Sequence, residues 1–275
     1  MTQEELAEKL DVSLDAVSKY ERSLSYIRGD LEHRLTENLG WSADEVIACR
    51  EDWETGRTRQ SGPTYRLLNE RDALAEFGAS VTARNRAIAA METGDLDSMP
   101  DGFSASDSIW IDIATEGVLS GSYVMFGAEL VGHVGLIFLG PALERRFRDC
   151  RLEEGELSTD LLKRPILPGE YFGYCPAVYI ARGHEAAGLL LLSGFVGILE
   201  DLAEREVFVR EIGAISISKL GRQLCEDLGL RFHGEHRRYS GFGVWTLPGE
   251  KFASSILGRR SAKLRTSYES QGWSD

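Results

Sequence analysis

An α+β chain of two domains is predicted: an all-α head over residues 1–55 and a mixed α/β body over residues 106–250. Three observations predict it. The chain has 275 residues, more than the ~100–200 of one ordinary domain. Residues 1–55 carry repeated cap-and-period helix signals and no strand-like run. Beyond residue 108 the apolar pattern changes to β-branched and aromatic runs parted by glycine-containing turns, with helices between them.

Composition narrows the function classes. With 43% hydrophobic and 27% charged residues, the chain can bury a core. A net charge of −13 argues against a general polyanion binder. The four cysteines, Cys49, Cys150, Cys175 and Cys225, are isolated and form no CxxC pair, so neither a zinc ribbon nor a disulfide framework is expected. No basic-then-apolar leader is read, and the most apolar run, residues 186–199, falls short of the ~20 residues a bilayer needs. A cytoplasmic location without membrane contact is the expectation.

Taken in order, Thr2 caps a first helix over Gln3 to Leu10, with Glu4 and Glu5 in the first turn where the helix dipole favours acids. Ser13 caps a second helix from Leu14 to about Arg22, and Asp30 a third running to Leu39. Ser42 with Glu45 forms a capping box for a fourth. Residues 56–105 are read as a helical linker: a polar stretch to Pro63, then helices from Tyr65 to Phe77 and from Val81 to Met91. Strands are expected at Ser108–Ile113, Ser122–Phe126, Leu130–Phe138, Tyr174–Ile180 and Val207–Ile217, with a final pair between Phe232 and Leu247. Helices are expected at Ala142–Cys150, Glu185–Ala203 and Lys219–Leu228. Residues 251–275 are read as a polar tail.

The stretch TQEELAEKLDVSLDAVSKYER resembles the phage-repressor (Cro/CI, XRE-type) helix-turn-helix family over about residues 1–50. Small Ala7 stands where the helices cross, Leu6, Leu10, Val17 and Tyr20 fill the space between them, and Asp11 replaces the usual turn glycine. The resemblance implies a recognition helix starting at Ser13, with Gln3, Ser13, Leu14, Asp15, Ser18 and Lys19 facing the major groove of double-stranded DNA. Residues 1–60 hold eight basic against fourteen acidic side chains, so such contact must come from a local face.

The body's element order, its hairpin GSYVMFGAELVGHVGLIFL and the late run AISISKLGRQLCEDLGLRFHGE are similar to the GNAT N-acetyltransferase family. That family seats the acyl-CoA pyrophosphate on backbone N–H groups opening the helix after its fourth strand. The resemblance places Val178, Tyr179, Arg182, Gly183, His184 and Ala187 at the cofactor. Glu185 stands where the family has a central glycine, and its carboxylate would face the pyrophosphate. Cys225 occupies the position of the family's proton-donating tyrosine, against the alternative of a buried apolar thiol. Glu170 is the other candidate catalytic residue, with Tyr174 and His133 weighed beside it as bases or structural groups. On a strand His233 and Glu235 share a face and His236 does not, so no metal site is expected. Arg237, Arg238 and Tyr239, and the basic tail at Arg259, Arg260, Lys263 and Arg265, are read as solvated charges or phosphate contacts.

Together the resemblances imply a DNA-binding transcriptional regulator, a homodimer on a two-fold operator, whose GNAT-like domain dimerises or senses a ligand such as acetyl-CoA. The alternative is an acetyl-CoA-dependent N-acetyltransferase with an N-terminal targeting domain. A third reading, an interaction module with a protein partner, fits the acidic surface.

Overall fold

The computed structural model describes residues 2–21, 32–42, 45–46, 64–93, 99–100 and 102–273, in two compact units, residues 1–64 and 65–275. In the first unit, helix α1 spans Gln3–Leu10, α2 Leu14–Glu21 and α3 Glu32–Leu39. Thr2 closes a capping box on α1: its hydroxyl accepts the Glu5 N–H at 3.2 Å, while the Glu5 carboxylate accepts the Thr2 N–H at 2.8 Å. Asp11 takes the left-handed conformation at φ 53°, as its place in the turn predicts. Ser13 caps α2 by accepting the Ala16 N–H at 3.1 Å. Leu10, Leu35 and Val46 form the small core, with Leu6, Val12, Leu39 and Trp41 packed on it, and Val17 is fully buried. The Arg34 guanidinium and Asn38 amide donate to the Leu10 and Lys9 carbonyls, both at 2.6 Å, satisfying the orphan end of α1. The Ser42–Glu45 capping box is present. Asp30, the expected cap of α3, and the expected break at residues 54–63 lie outside the described residues.

The second unit is built on a mixed sheet. Its strands are β1 Tyr65–Asn69, β2 Ser120–Phe126, β3 Glu129–Leu139, β4 Leu162–Lys163, β5 Gly169–Cys175, β6 Val178–Ile180, β7 Val207–Ser216, β8 Arg231–Glu235 and β9 Gly243–Pro248. The order is β1-β2-β3-β5-β7-β9-β8, with β4 and β6 each added to β3. Every pair is antiparallel except β5 with β7. The helices are α4 Glu70–Glu76, α5 Val81–Thr93, α6 Asp107–Thr115, α7 Pro141–Arg148, α8 Gly188–Glu204, α9 Lys219–Asp227, α10 Ile256–Arg260 and α11 Ala262–Glu269. The long apolar helix α8 is the crossover that a parallel pair requires. Its Leu191, Phe195, Val196, Leu199 and Leu202 pack on one sheet face with Leu257, Leu264 and Tyr268. On the other face Ile113, Leu143 and Phe147 pack against Ile137, Phe172 and Tyr174.

Five expectations are corrected. Residues 65–69 form an edge strand rather than the start of a helix, and 65–93 are no linker: β1 pairs with β2, and Ala73, Tyr123, Met125 and Leu130 share a core. The run YRLLN lacks alternation, with Leu67 37% exposed, so only pairing to β2 makes it a strand. Residues 107–115 form a helix rather than a strand. Ile109, Trp110 and Ile113 satisfy helical spacing as well as they suggest a strand, and their packing on the core decides between the two. The single strand expected at 174–180 is two, β5 and β6, broken at Pro176, which has no N–H to give. Residues 251–275 are not merely a polar tail, since Phe252, Leu257, Leu264 and Tyr268 are buried and the Tyr268 hydroxyl accepts the Val209 N–H at 3.0 Å. Finally, the helical stretch at 185–204 is long and apolar enough to cross a bilayer by length and composition; here its inner stripe lies on the sheet.

Candidate active site

The break at Pro176 creates the opening around which the site is arranged. β5 runs parallel to β7 only as far as the pairing of Cys175 with Ala214. After Pro176 the chain turns onto β3, where β6 pairs Val178, Tyr179 and Ile180 with Val134, His133 and Gly132. Gly135 N–H donates to the Ala177 carbonyl at 3.2 Å and Ala181 N–H to the Val131 carbonyl at 2.8 Å. Hydrogen-bonding positions alternate along an antiparallel pair, so residues 177, 179 and 181 face β3. The main-chain groups of Val178 and Ile180 therefore point the other way, toward the side where β7 no longer pairs. This unpaired edge lies at the carboxyl end of a parallel strand pair, where open α/β sheets place their ligands.

The loop from 181 to 187 and the start of α8 follow directly. Gly183 adopts φ 81°, which favours glycine. The His184 ring packs edge-on against Tyr65 and Phe126, with its Nδ1 3.2 Å from the Tyr65 hydroxyl. Ala187 is buried and Arg182 is exposed. The Glu185 carboxylate accepts the Gly183 N–H at 3.0 Å, and the N–H groups of Glu185 itself and of Gly183 hold its pKa below the usual carboxylate value. Three exposed apolar side chains stand at this end of the molecule: Val178 on β6, Leu189 in the first turn of α8 and Leu220 in the first turn of α9.

On the other face lies a polar cluster. Glu154 is buried, accepts the Tyr174 hydroxyl at 2.8 Å, and has its pKa pushed up to about 8 by burial, with the Glu92 charge adding to the effect. The Glu92 carboxylate is 2.6 Å from His133 Nε2. His133 is 8% exposed and stands opposite Tyr179 in the β3–β6 register. The Tyr179 hydroxyl donates to the Met91 carbonyl at 3.0 Å, pinning the end of α5 over β6. A histidine paired with a carboxylate beside an opening is suited to take a proton from an incoming amine.

The structure brings Val178, Tyr179, Arg182, Gly183, His184 and Ala187 to one end of the sheet. It does not bring Glu170 there. Glu170 opens β5, five residues before Cys175 and hence about 16 Å along the strand. There it accepts from the Gln271 amide at 3.3 Å and borders a cleft of about 220 Å³ with Arg210 and Trp273. Cys225 is buried on α9 and its pKa is pushed up to about 12 by burial, so it holds its proton too tightly to pass it to an ordinary thiolate. Cys175 is likewise raised to about 12. Sequence reasoning missed Glu92 and Glu154. Neither sits in a motif, and the one available signal was the isolated His133 in an apolar strand, which needed a partner.

The remaining candidates are occupied elsewhere. In the first unit Leu14 is 48% exposed and Ser13 is exposed, but Lys19 is paired with Asp15 at 2.6 Å and the Gln3 amide donates to Glu21 at 2.5 Å. Ser18 is half-buried. In the second unit His233 Nε2 lies 2.9 Å from the Arg148 carbonyl and His236 Nε2 3.0 Å from the Leu152 carbonyl. Arg238 and Tyr239 both engage Glu153, and Lys263 pairs with Glu204. Among the described residues no group of histidine, cysteine and carboxylate side chains has the arrangement to hold a metal ion.

No family model matches the chain, and no curated protein does. Solved structures similar to it include FeeM, an N-acyl amino acid synthase from uncultured soil microbes, at 14% identity, 72% of this chain, 98% of that chain and TM-score 0.44. The loading GNATL domain of CurA from Lyngbya majuscula is similar at 12% identity, covering 66% of this chain and 96% of that one, TM-score 0.42. An N-acetyltransferase from Staphylococcus aureus Mu50 is similar at 7% identity, covering 67% and 97%, TM-score 0.40. At these identities the likeness concerns fold and does not extend to substrates.

Proposed function

We propose that the second unit is an acyltransferase that moves an acyl group from a thioester to an amine, with acetyl-CoA as the simplest donor. The observation that carries this reading is the open edge of β6. Val178 and Ile180 offer main-chain N–H and C=O groups to a ligand at the carboxyl end of the one parallel strand pair among the described strands. A pantetheine arm, with two amides, is the kind of ligand that would pair there as an added strand. When bound, the thioester supplies the activated acyl carbon; the chain supplies placement. Backbone N–H groups of β6 are donors for the carbonyl oxygen as it gains charge. On the opposite face the His133–Glu92 pair takes the proton that the amine must lose. The part-exposed carboxylate of Glu92 is the acidic group met by a cationic acceptor, while Glu154 stays buried behind it.

A DNA-binding regulator is the less supported reading. Asp15 and Glu21 stand beside Lys19 and Gln3, the groups best able to meet phosphate or a base edge, and their charge opposes the approach of a duplex. The N-terminal helices serve in the acyltransferase reading as a targeting domain.

The test is calorimetric titration of the full chain with acetyl-CoA and with acetyl-pantetheine, repeated on Val178→Pro. The Val178 N–H does not face β3, so proline removes the ligand's donor without breaking the sheet. Heat from at least one thioester that disappears in the variant, with the melting temperature kept, is the expected result. A chain that binds neither thioester is not an acyltransferase of this design.

A further inference from the structure

Before α8, four of the N–H groups that would cradle a diphosphate, those of Gly183, His184, Glu185 and Ala187, are already used. The His184 N–H donates to the Ala181 carbonyl at 3.1 Å and the Ala187 N–H to the His184 carbonyl at 2.8 Å. The Gly183 N–H donates to the Glu185 carboxylate at 3.0 Å, and the Glu185 N–H turns to that same carboxylate. An anion that docks on a helix N-terminus needs several free N–H groups and the positive end of the dipole. Here the dipole is met by a fixed negative charge from the chain, and one side chain fills the place of the ligand's oxygens. By contrast the β6 edge, a few residues earlier, is open and unspent.

We infer that the donor thioester is carried on a pantetheine arm without a diphosphate: the arm binds along β6, and the loop at 182–187 contributes nothing to a nucleotide beyond it. This rests on the acyltransferase reading and sharpens it, because it separates the two halves of acyl-CoA. The shared chemistry has two sources, a free small pantetheine thioester and a phosphopantetheine arm tethered to a carrier protein. Val178 on β6, Leu189 at the start of α8 and Leu220 at the start of α9 are exposed apolar side chains, available to either.

The experiment compares the affinity of the full chain for acetyl-CoA, acetyl-pantetheine and an acetylated phosphopantetheinyl carrier protein, in the parent and in Glu185→Gly and Glu185→Gln. The parent should bind acetyl-pantetheine at least as tightly as acetyl-CoA. Glu185→Gly should tighten acetyl-CoA about tenfold and leave acetyl-pantetheine within about twofold, since one like charge near a phosphate is worth roughly a factor of ten. Glu185→Gln, which keeps the side chain's shape, should give part of the gain. Tighter binding of the carrier-borne arm assigns the donor to a carrier protein, and binding no tighter than the free arm assigns it to a small thioester; both support the inference. Acetyl-CoA bound tenfold more tightly than acetyl-pantetheine by the parent overturns it while leaving the acyltransferase reading intact. No gain in either Glu185 variant also overturns it. Binding of no thioester at all sinks the acyltransferase reading and this inference with it.

Discussion

The two faces of the sheet meet at Tyr174 and Cys175; both carry apolar cores, but one of them also buries ionisable groups. Cys175 points into an apolar layer of Leu191, Phe195, Val196 and Leu199 from α8. Tyr174, one residue earlier, points into the layer that holds Glu154, and nearby stand Glu92 and His133. A strand alternates its side chains by geometry, so one residue of register separates a face that only holds the fold together from a face that buries ionisable groups. Buried carboxylates destabilise a fold and are expected where chemistry needs them. In the acyltransferase reading, the face with the buried ionisable groups is the side proposed to take the proton.

The comparison can be broken at several strengths. The largest effect is expected on the apolar face. Leu199 is fully buried, so Leu199→Ala should cost about 2–5 kcal/mol of stability in a urea titration, with thioester affinity per folded molecule unchanged. A loss below about 1 kcal/mol would mean α8 is not the structural face.

The polar face should answer to pH instead. Glu154 in the folded chain keeps its proton up to about pH 8, whereas its unfolded value is 4.5. The folded state thus binds the extra proton, and this contribution to stability is full below pH 4.5 and lost as pH rises through 8. Unfolding free energies from urea titrations between pH 5 and 8.5 should fall by an amount on the order of a few kcal/mol in the parent. Glu154→Gln, with nothing to titrate, should show a flatter profile and overtake the parent at pH 8; an identical slope in both would remove Glu154 as the buried acid.

A third effect is kinetic. Glu92→Gln leaves His133 without its charged partner, and kcat for acyl transfer to an amine should drop about 100-fold with donor affinity kept. A change in KM for the amine alone would make Glu92 a binding group and leave proton transfer elsewhere. The smallest effect lies in the first unit, where Thr2→Ala removes the capping box of α1 and should cost about 1 kcal/mol of that unit's stability, read from helix content on heating.

Legibility in the sequence followed the strength of local signals. The β2–β3 hairpin, α8, β7 and α9 lie where they were expected, because long apolar runs with glycine or capped ends admit one period. The left-handed Asp11, the Thr2 cap and the Ser42–Glu45 capping box were equally readable, since caps are contacts within a few residues, while the reciprocal Glu5 bond to Thr2 was added by the structure. The short segments at 65–69 and 107–115 were misread. Each fits a strand and a helix, and the choice comes from β2 in one case and from the core beneath α6 in the other. For the site, the loop at 182–187 and the strand at 178–179 are candidates that only a family resemblance suggested, and the structure brings them to one end of the sheet. Glu170 does lie near the start of β5, as expected, and that start is the end of the strand away from the loop at 182–187.

The sequence by itself determined the alternation of elements, the glycine and proline breaks, and the negative side chain at 185, all properties carried by neighbouring residues. Tertiary structure decided the rest. It parted β6 from β7 after Pro176 and left two residues' main-chain groups open. It joined residues 92 and 133 into a part-buried pair, and 154 and 174 into a buried one. It also turned the Glu185 carboxylate onto the loop's N–H groups. Hydrogen bonds and burial between distant segments depend on how the sheet closes, and a local pattern of residue types carries no record of that.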